Sequence, residues 1–232
     1  MAQPARASDA LEAAPRFEER PTEPIVRDGL MLAAGIFVVA IGLGLWVGPA
    51  LGGPLFALAL FTLAFFRNPS RRLPGDERTV VAPADGRVLE AGEIDGPDGR
   101  RVQRVGIFLS VFDVHVNRAP LAGRVVAVER GGEKFLAAFD RRAETENARC
   151  SLWLETARGE RVGVVQIVGW IARRIVCHPR VGEWVERGAR YGLIRFGSRT
   201  DVVLPIEAEL CVRRGERVRG GETVVARLPG GS

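Results

Sequence analysis

Lysine is almost missing from this chain of 232 residues: of its 33 basic residues, Lys134 is the only one that is not arginine. A pyridoxal enzyme needs a lysine to hold its cofactor, and a lipoyl or biotinyl carrier needs one for its prosthetic group. Either role would therefore fall on Lys134. That residue lies in Glu133–Phe139, which reads as a short amphipathic helix and not as the hairpin tip that carriers use. Cysteine is also scarce. Cys150, Cys177 and Cys211 are odd in number and far apart, with neither metal-ligand spacing nor a disulfide pattern, so they read as small buried hydrophobes and no metal is expected. Histidine occurs only as His115 and His178.

Charge is absent from Gly29 to Phe66, although the chain as a whole carries a formal net charge of +5. A basic balance points to nucleic acid or to an anionic membrane surface. The arginines are scattered among short β runs, and no basic helix interleaved with aromatics occurs, which argues against nucleic acid. Beside a charge-free apolar run, attraction to acidic lipid headgroups is the simpler account.

The apolar run divides itself. Leu30–Val47 would span about 27 Å as a helix, against about 30 Å for a bilayer core. Gly48–Pro54 then supplies residues that break or loosen a helix, and Leu55–Phe66 is a second, shorter piece. A membrane-anchoring helical hairpin over residues 29–66 fits best, with a single bent span as its rival. Arg16, Arg20 and Arg27 precede it and Arg67, Arg71 and Arg72 follow, which places both ends in the cytoplasm. Residues 1–28 read as a disordered cytoplasmic arm.

From Val80 onward the texture changes to short Val-rich runs broken by Gly, Pro and Asp, an all-β pattern. Ala137–Ala148 is the only good helical candidate. Gly182–Gly188 is answered by Gly215–Gly221, both reading G-E-x-V-x-x-G. Such turn–strand–turn units recur in sandwiched half-barrels of the lipoyl and biotinyl type. The expected fold is therefore mainly β: a sandwiched half-barrel domain over residues 67–232 with a short helix, preceded by the hairpin.

Three places hold the residue types that chemistry needs. His115 lies in a stretch from Phe108 to Pro120 that crowds Ser110, Asp113, Asn117 and Arg118 around the end of an apolar strand. Asp85 sits in Pro83-Ala84-Asp85-Gly86, by itself an ordinary turn. Gly197-Ser198, between two β runs, is by itself an ordinary bulge or hairpin. His178 has less polar company and reads as structural.

Taken in order, these pieces resemble the phosphatidylserine decarboxylases of the short bacterial and archaeal pyruvoyl-dependent type. The resemblance covers residues 64–205 and is carried by Phe65-Phe66-Arg67-Asn68-Pro69, Ala82–Gly86, Phe108–Pro120, Lys134-Phe135 with Glu146-Asn147, and Arg195–Asp201. It implies a proenzyme that cuts itself between Gly197 and Ser198, giving a large subunit 1–197 and a small subunit 198–232 that stay together as a heterodimer, alone or in a higher oligomer. Ser198 would become a covalent pyruvoyl group (pyruvate) that condenses with the amine of a membrane phospholipid. It further implies catalytic roles for Ser198, His115 and Asp85, with Asp85 orienting His115 as in a triad. Arg118, Arg195 and Arg199 are candidates for the lipid phosphate, because a guanidinium matches phosphate oxygens in pairs. Longer members of the family carry a second histidine where this chain has Arg118. Two other readings stay open here: a decarboxylase of ether-linked archaeal serine lipids or of another aminophospholipid, and a membrane-tethered lipoyl-like adaptor without chemistry.

Overall fold

A computed structural model describes residues 14–19, 24–76, 78–96, 99–138, 140, 142–170, 174–194 and 198–230. It divides into two compact units. One is helical, residues 21–70 with the loop Val111–Val114; the other is the β unit that holds the rest.

The helical unit is a hairpin of α1 (Arg27–Trp46) and α2 (Pro49–Phe65). The break is tighter than the glycines and prolines of 48–54 suggest. Gly48 alone takes the turn at φ 124°, a conformation that suits glycine, and Pro49 then opens α2 at the position where its missing N–H costs nothing. Small residues make the contact between the helices. A Cβ at Gly52 would lie 2.6 Å from Cα of Gly44, and Ala33, Ala40 and Ala59 are buried. Large apolar side chains face outward, with Leu45 81% and Trp46 94% exposed. This burial is the inverse of a water-soluble helix pair and matches helices that pack through small residues in lipid. At the base, Val26 N–H donates to Phe66 O at 3.0 Å and Asn68 N–H to Pro24 O at 2.7 Å. Arg67 donates to Ala64 O at 2.7 Å and to Phe112 O at 2.6 Å, so the loop 111–114 is fixed within this unit.

The β unit is built from β1 (Thr79–Val81), β2 (Gly86–Asp95), β3 (Arg101–Leu109), β4 (Val116–Arg118), β5 (Gly123–Gly131), β6 (Arg149–Glu155), β7 (Arg161–Ile167), β8 (Ile175–Cys177), β9 (Trp184–Val185), β10 (Arg190–Ile194), β11 (Ser198–Leu204), β12 (Glu209–Leu210), β13 (Arg217–Val218) and β14 (Val224–Arg227), with one helical turn, α3 (Ala143–Glu146). Eight strands form a curled half-barrel sheet in the order β13-β2-β3-β11-β7-β6-β5-β9; β1-β14-β12 and β4-β10-β8 form two smaller sheets. All pairings are antiparallel. The fold class is the one expected. The two G-E-x-V-x-x-G copies supply β9 and β13, the two edges of the large sheet, and all four motif-bounding glycines hold positive φ.

Alternation along the strands selects the core. Val105, Ile107 and Leu109 of β3, Leu152 and Leu154 of β6, Val162 and Val164 of β7, and Val202 and Leu204 of β11 are buried at every second position. Most of them join one cluster with residues of the small sheets, including Tyr191, Val225 and Ala226. β11 differs from the others in being buried on both faces.

Three expectations change. Ala14–Glu19, placed in the disordered arm, lie along β9: Trp184 N–H donates to Pro15 O at 2.8 Å and Phe17 N–H to Trp184 O at 2.9 Å. The helix expected over 137–148 is only the turn α3. The amphipathic helix around Lys134 is extended chain, because the Asn147 side chain takes both the N–H and the carbonyl of Leu136, each at 2.8 Å. A side chain that bonds the backbone in this way competes with helix formation.

Among the described helices, α1 is long and apolar enough to cross a membrane. The chain is expected to stay in the membrane pellet at about 1 M salt, which cuts electrostatic reach to about 3 Å without weakening apolar burial, and to leave it in detergent. Release by salt alone, read on a blot of the two fractions, would remove the anchor.

Candidate functional site

The interior of the half-barrel is apolar along most of its length and turns polar at one end. Following the core face of β11 from its C-terminal end, Leu204 and Val202 give way to Thr200 and Ser198. On β7 the same face runs Val162, Val164, Gln166, and on β6 it runs Leu154, Leu152, Cys150. β4 closes this end with His115, just before it, and Asn117. Gln166 Nε2 donates to Asn117 Oδ1 at 2.8 Å, and Asn117 Nδ2 reaches Thr200 Oγ1 at 3.5 Å. His115, Asn117, Gln166, Ser198 and Thr200 are all fully buried.

Five polar side chains in a dry core carry a cost unless each is matched, on the order of 1–3 kcal/mol for a hydroxyl or amide left without a partner. Ser198 Oγ forms no hydrogen bond among the described residues. Ser198 is also the first residue of a strand buried on both faces. Its place relative to His115 follows from the chain path. Ile194 N–H points to His115 O at 3.4 Å, and only three residues separate Ile194 from Ser198. His115 and Ser198 are thereby brought to the same end of the core. Arg195 and Gly197 lie outside the described residues.

Asp85 is anchored by residues distant in sequence. Its carboxylate accepts two bonds from Arg71 Nη2, at 3.0 and 2.7 Å, and one from the Gly220 N–H at 2.8 Å. Arg71, which holds the carboxylate, also reaches Glu222 at 3.5 Å. Arg71 is the residue the sequence reading passed over. It counted there only as a flanking charge of the hairpin, and its position five residues after Phe66 gives no sign of an inward path. Arg118 is nearby: its N–H donates to Pro83 O at 2.8 Å and its Nη1 to Gly188 O at 3.1 Å. Burial lowers its affinity for a proton, and Arg190 and Arg71 press in the same direction. Three guanidiniums thus gather around Asp85 and Glu19, the latter paired with Arg190.

Arg199, expected as a candidate for the lipid phosphate, is instead engaged by carboxylates. Its side chain leaves β11 on the face opposite Ser198 and is 3% exposed. Asp201 takes its Nε and Nη2 at 2.5 and 2.9 Å, Glu144 takes Nη1 at 2.8 Å, and Glu90 also binds Nη2. Four of its five N–H donors are thereby committed to carboxylates. Burial raises the Asp201 carboxyl from its ordinary 3.8 to about 6 against the pull of Arg199 and Arg104. All three cysteines are free thiols.

With this geometry in view, the comparisons with known proteins are specific. The family model described as phosphatidylserine decarboxylase matches residues 58–226. A phosphatidylserine decarboxylase proenzyme of Symbiobacterium thermophilum is 49% identical over 207 residues, covering 88% of this chain and 96% of the relative. Those of Pelobacter propionicus and Citrifermentans bemidjiense are 46% and 51% identical, over 88% and 75% of this chain and 97% and 80% of theirs.

Two outcomes test the electrostatics. Arg71→Ala strands a mostly buried carboxylate and is expected to cost on the order of 2–3 kcal/mol in denaturant unfolding, below the 3–5 of a fully buried pair because Asp85 keeps some solvent; an unchanged midpoint would mean that Asp85 does not depend on it. For Asp201, the folded state holds a proton more tightly than the unfolded chain. Its contribution to stability is therefore full below about pH 4 and is lost as pH rises through about 6. Asp201→Asn should flatten that part of the stability curve, measured by thermal unfolding across pH 4–7.

Proposed function

The chain belongs to the phosphatidylserine decarboxylase family, and on that premise we propose that it is a self-processing proenzyme of a membrane-bound carboxy-lyase, cut between Gly197 and Ser198. The observation that carries this reading is Ser198 Oγ: wholly buried, unmatched among the described residues, and placed where the core turns polar.

In the processing step, Ser198 Oγ attacks the Gly197 carbonyl carbon, and the acyl group moves from the Ser198 nitrogen to its oxygen, so an ester replaces the amide. Loss of the Ser198 α-proton then expels the Gly197 carboxylate and frees residues 1–197, leaving dehydroalanine at 198. Addition of water and loss of ammonia leave a pyruvoyl group there. Glycine on the acyl side suits this, because no Cβ hinders the attack. A serine hydroxyl needs a base at neutral pH. His115 is the titratable group at that end of the core, and its backbone is fixed beside Ile194. The pyruvoyl group supplies the electron-withdrawing carbonyl that decarboxylation of an amino acid headgroup requires, a task for which this chain offers only one lysine.

The remaining roles fall on residues of this chain. His115 moves the proton in processing and in turnover. Asp85 acts through Arg71 and the Gly220 turn, holding the Ala82–Asp85 loop against β4. Arg118 is retained for the lipid phosphate, and Arg195 stays a candidate by its place in sequence. α1 and α2 keep the enzyme at the bilayer, with both flanks, and so the β unit, on the cytoplasmic side. The substrate is a serine phospholipid, and the products are its ethanolamine counterpart and carbon dioxide. The adaptor reading gives no reason to bury an unmatched serine at the head of a central strand. Lipid backbone is decided by offering serine lipids with ester-linked and ether-linked chains and counting released carbon dioxide.

Ser198→Ala is expected to run as one uncut chain near 25.2 kDa, whereas the parent gives two fragments, the smaller of them sensitive to hydroxylamine. His115→Ala should slow the cut by about 10²-fold or more, the usual scale for a lost general base. A Ser198→Ala chain that still splits would end the assignment of the cleavage site.

A further inference from the structure

We propose that Arg199 is a positioning residue that fixes the reacting end of β11, through a buried ionic clamp on the sheet face opposite Ser198. The proposal rests on the Gly197–Ser198 cut described above and adds what keeps position 198 in place before and after it.

A cut at this bond turns an interior residue into a chain end, and chain ends fray unless tied down. The ladder holds residue 198 from one side only. Ser198 pairs with Leu109 of β3, but pairing with β7 begins one residue later, at Arg199 with Ile167. Arg199 is thus the first residue held on both sides, and its side chain adds a third restraint. Asp201 on β11, Glu90 on β2 and Glu144 on α3 grip its guanidinium from three elements. Arg104 of β3 closes the ring, bonding Glu90 at 2.5 Å and Glu144 at 2.6 Å. α3 is itself latched, by Glu146 to Lys134 at 2.9 Å and by Arg149 to Thr145 O at 2.6 Å.

The backbone beneath the clamp is shaped for it. Gly106 sits in the middle of β3, opposite Asp201, where a glycine weakens a strand. A Cβ there would lie 2.7 Å from Arg199 Nη2 and 3.1 Å from Asp201 Oδ1. Glycine leaves the floor on which the guanidinium lies flat. A planar fork with donors in fixed directions engages Asp201 at two nitrogens while reaching Glu90 and Glu144, a spread that the single nitrogen of an ammonium does not reproduce. A 1 Å displacement of a reacting group costs about 10²-fold in rate, so a loosened clamp should be visible in chemistry before it is visible in folding.

The test uses the full chain in detergent or bilayer and three variants: Arg199→Lys, Glu144→Gln and Gly106→Ala. The last changes no charge and only lifts the guanidinium. Two readouts are taken apart from each other: the half-time of fragment appearance in freshly made protein on a denaturing gel, and kcat and KM per titrated carbonyl in the cut enzyme. The expected result for Arg199→Lys and Gly106→Ala is cleavage slowed by about tenfold or more and kcat lowered by a similar factor, with KM within about twofold and a parent-like thermal midpoint. Glu144→Gln should fall between. Parent rates of cleavage and turnover in Gly106→Ala overturn the proposal, as do losses that only track the fraction of folded protein. Should Arg199→Lys fail to fold, Gly106→Ala decides alone. Ser198→Ala, run beside them, reports on the cleavage site itself, so failure of that reading and failure of the clamp give different gels.

Discussion

Burying β11 on both faces places a constraint on every residue around it. A strand covered on one side can leave its polar side chains in water; β11 cannot, so each of its polar groups must find a partner or carry a penalty. On one face Arg199 and Asp201 are matched by Glu90, Glu144 and Arg104, which in turn fixes α3 over the sheet and requires a glycine at 106. On the other face Thr200 is met by Asn117 and Ser198 is left unmatched. The two faces are complementary in purpose. One spends its polarity on rigidity, and the other keeps the Ser198 hydroxyl out of water. A buried network of two guanidiniums and three carboxylates is not by itself strong support for stability, since the cost of removing those charges from water offsets much of their attraction. Its use is in fixing geometry.

The helical unit obeys the opposite solvent logic. Its contact surface includes Gly44, Gly52, Ala33, Ala40 and Ala59, while large side chains such as Leu45, Val38 and Trp46 point away from it. In water this would expose a large apolar surface; in lipid the outward residues meet chains as apolar as themselves, and close backbone approach supplies the attraction. The same stretch therefore reads as unstable or as well packed depending only on the solvent assumed. The run after it, Phe65 to Asn68, gains a mechanical sense: Phe66 packs on Gly29, Arg67 caps the end of α2, and Asn68 clasps Pro24.

Much of this was legible in the sequence because it rests on local pattern. A charge-free run marks the hairpin, alternation marks the strands, and two copies of G-E-x-V-x-x-G mark the edges of the sheet. Ser198 and His115 could be singled out as a pair only through ordered motifs, since neither has a local signature. What was not legible depends on contacts distant in sequence. Arg199 looks like any arginine beside a serine until Glu90, 109 residues earlier, and Glu144 are brought to it. Arg71 looks like a membrane-flanking charge until the chain turns it onto Asp85. The helix expected at 137–148 fails for a similar reason, because Asn147 trades helical bonds for ones to Leu136 and Val168. Propensity cannot foresee a tertiary competitor.

The strand order also bears on what a cut at residue 197 would do to the fold. After it, the small fragment holds β11 to β14. β11 lies between β3 and β7, β13 pairs with β2, and β14 pairs with β1. Apart from β12, each of its strands is thus hydrogen-bonded to a strand of the large fragment, and Val202, Leu204, Val218, Val225 and Ala226 belong to the common core. Separating the fragments would mean opening the central sheet on both sides of β11 and emptying that core, which amounts to unfolding the β unit. The broken bond therefore frees one residue's chemistry while the architecture on both sides stays as it was. Such a topology allows a proenzyme to give up a peptide bond in its interior and remain one folded body.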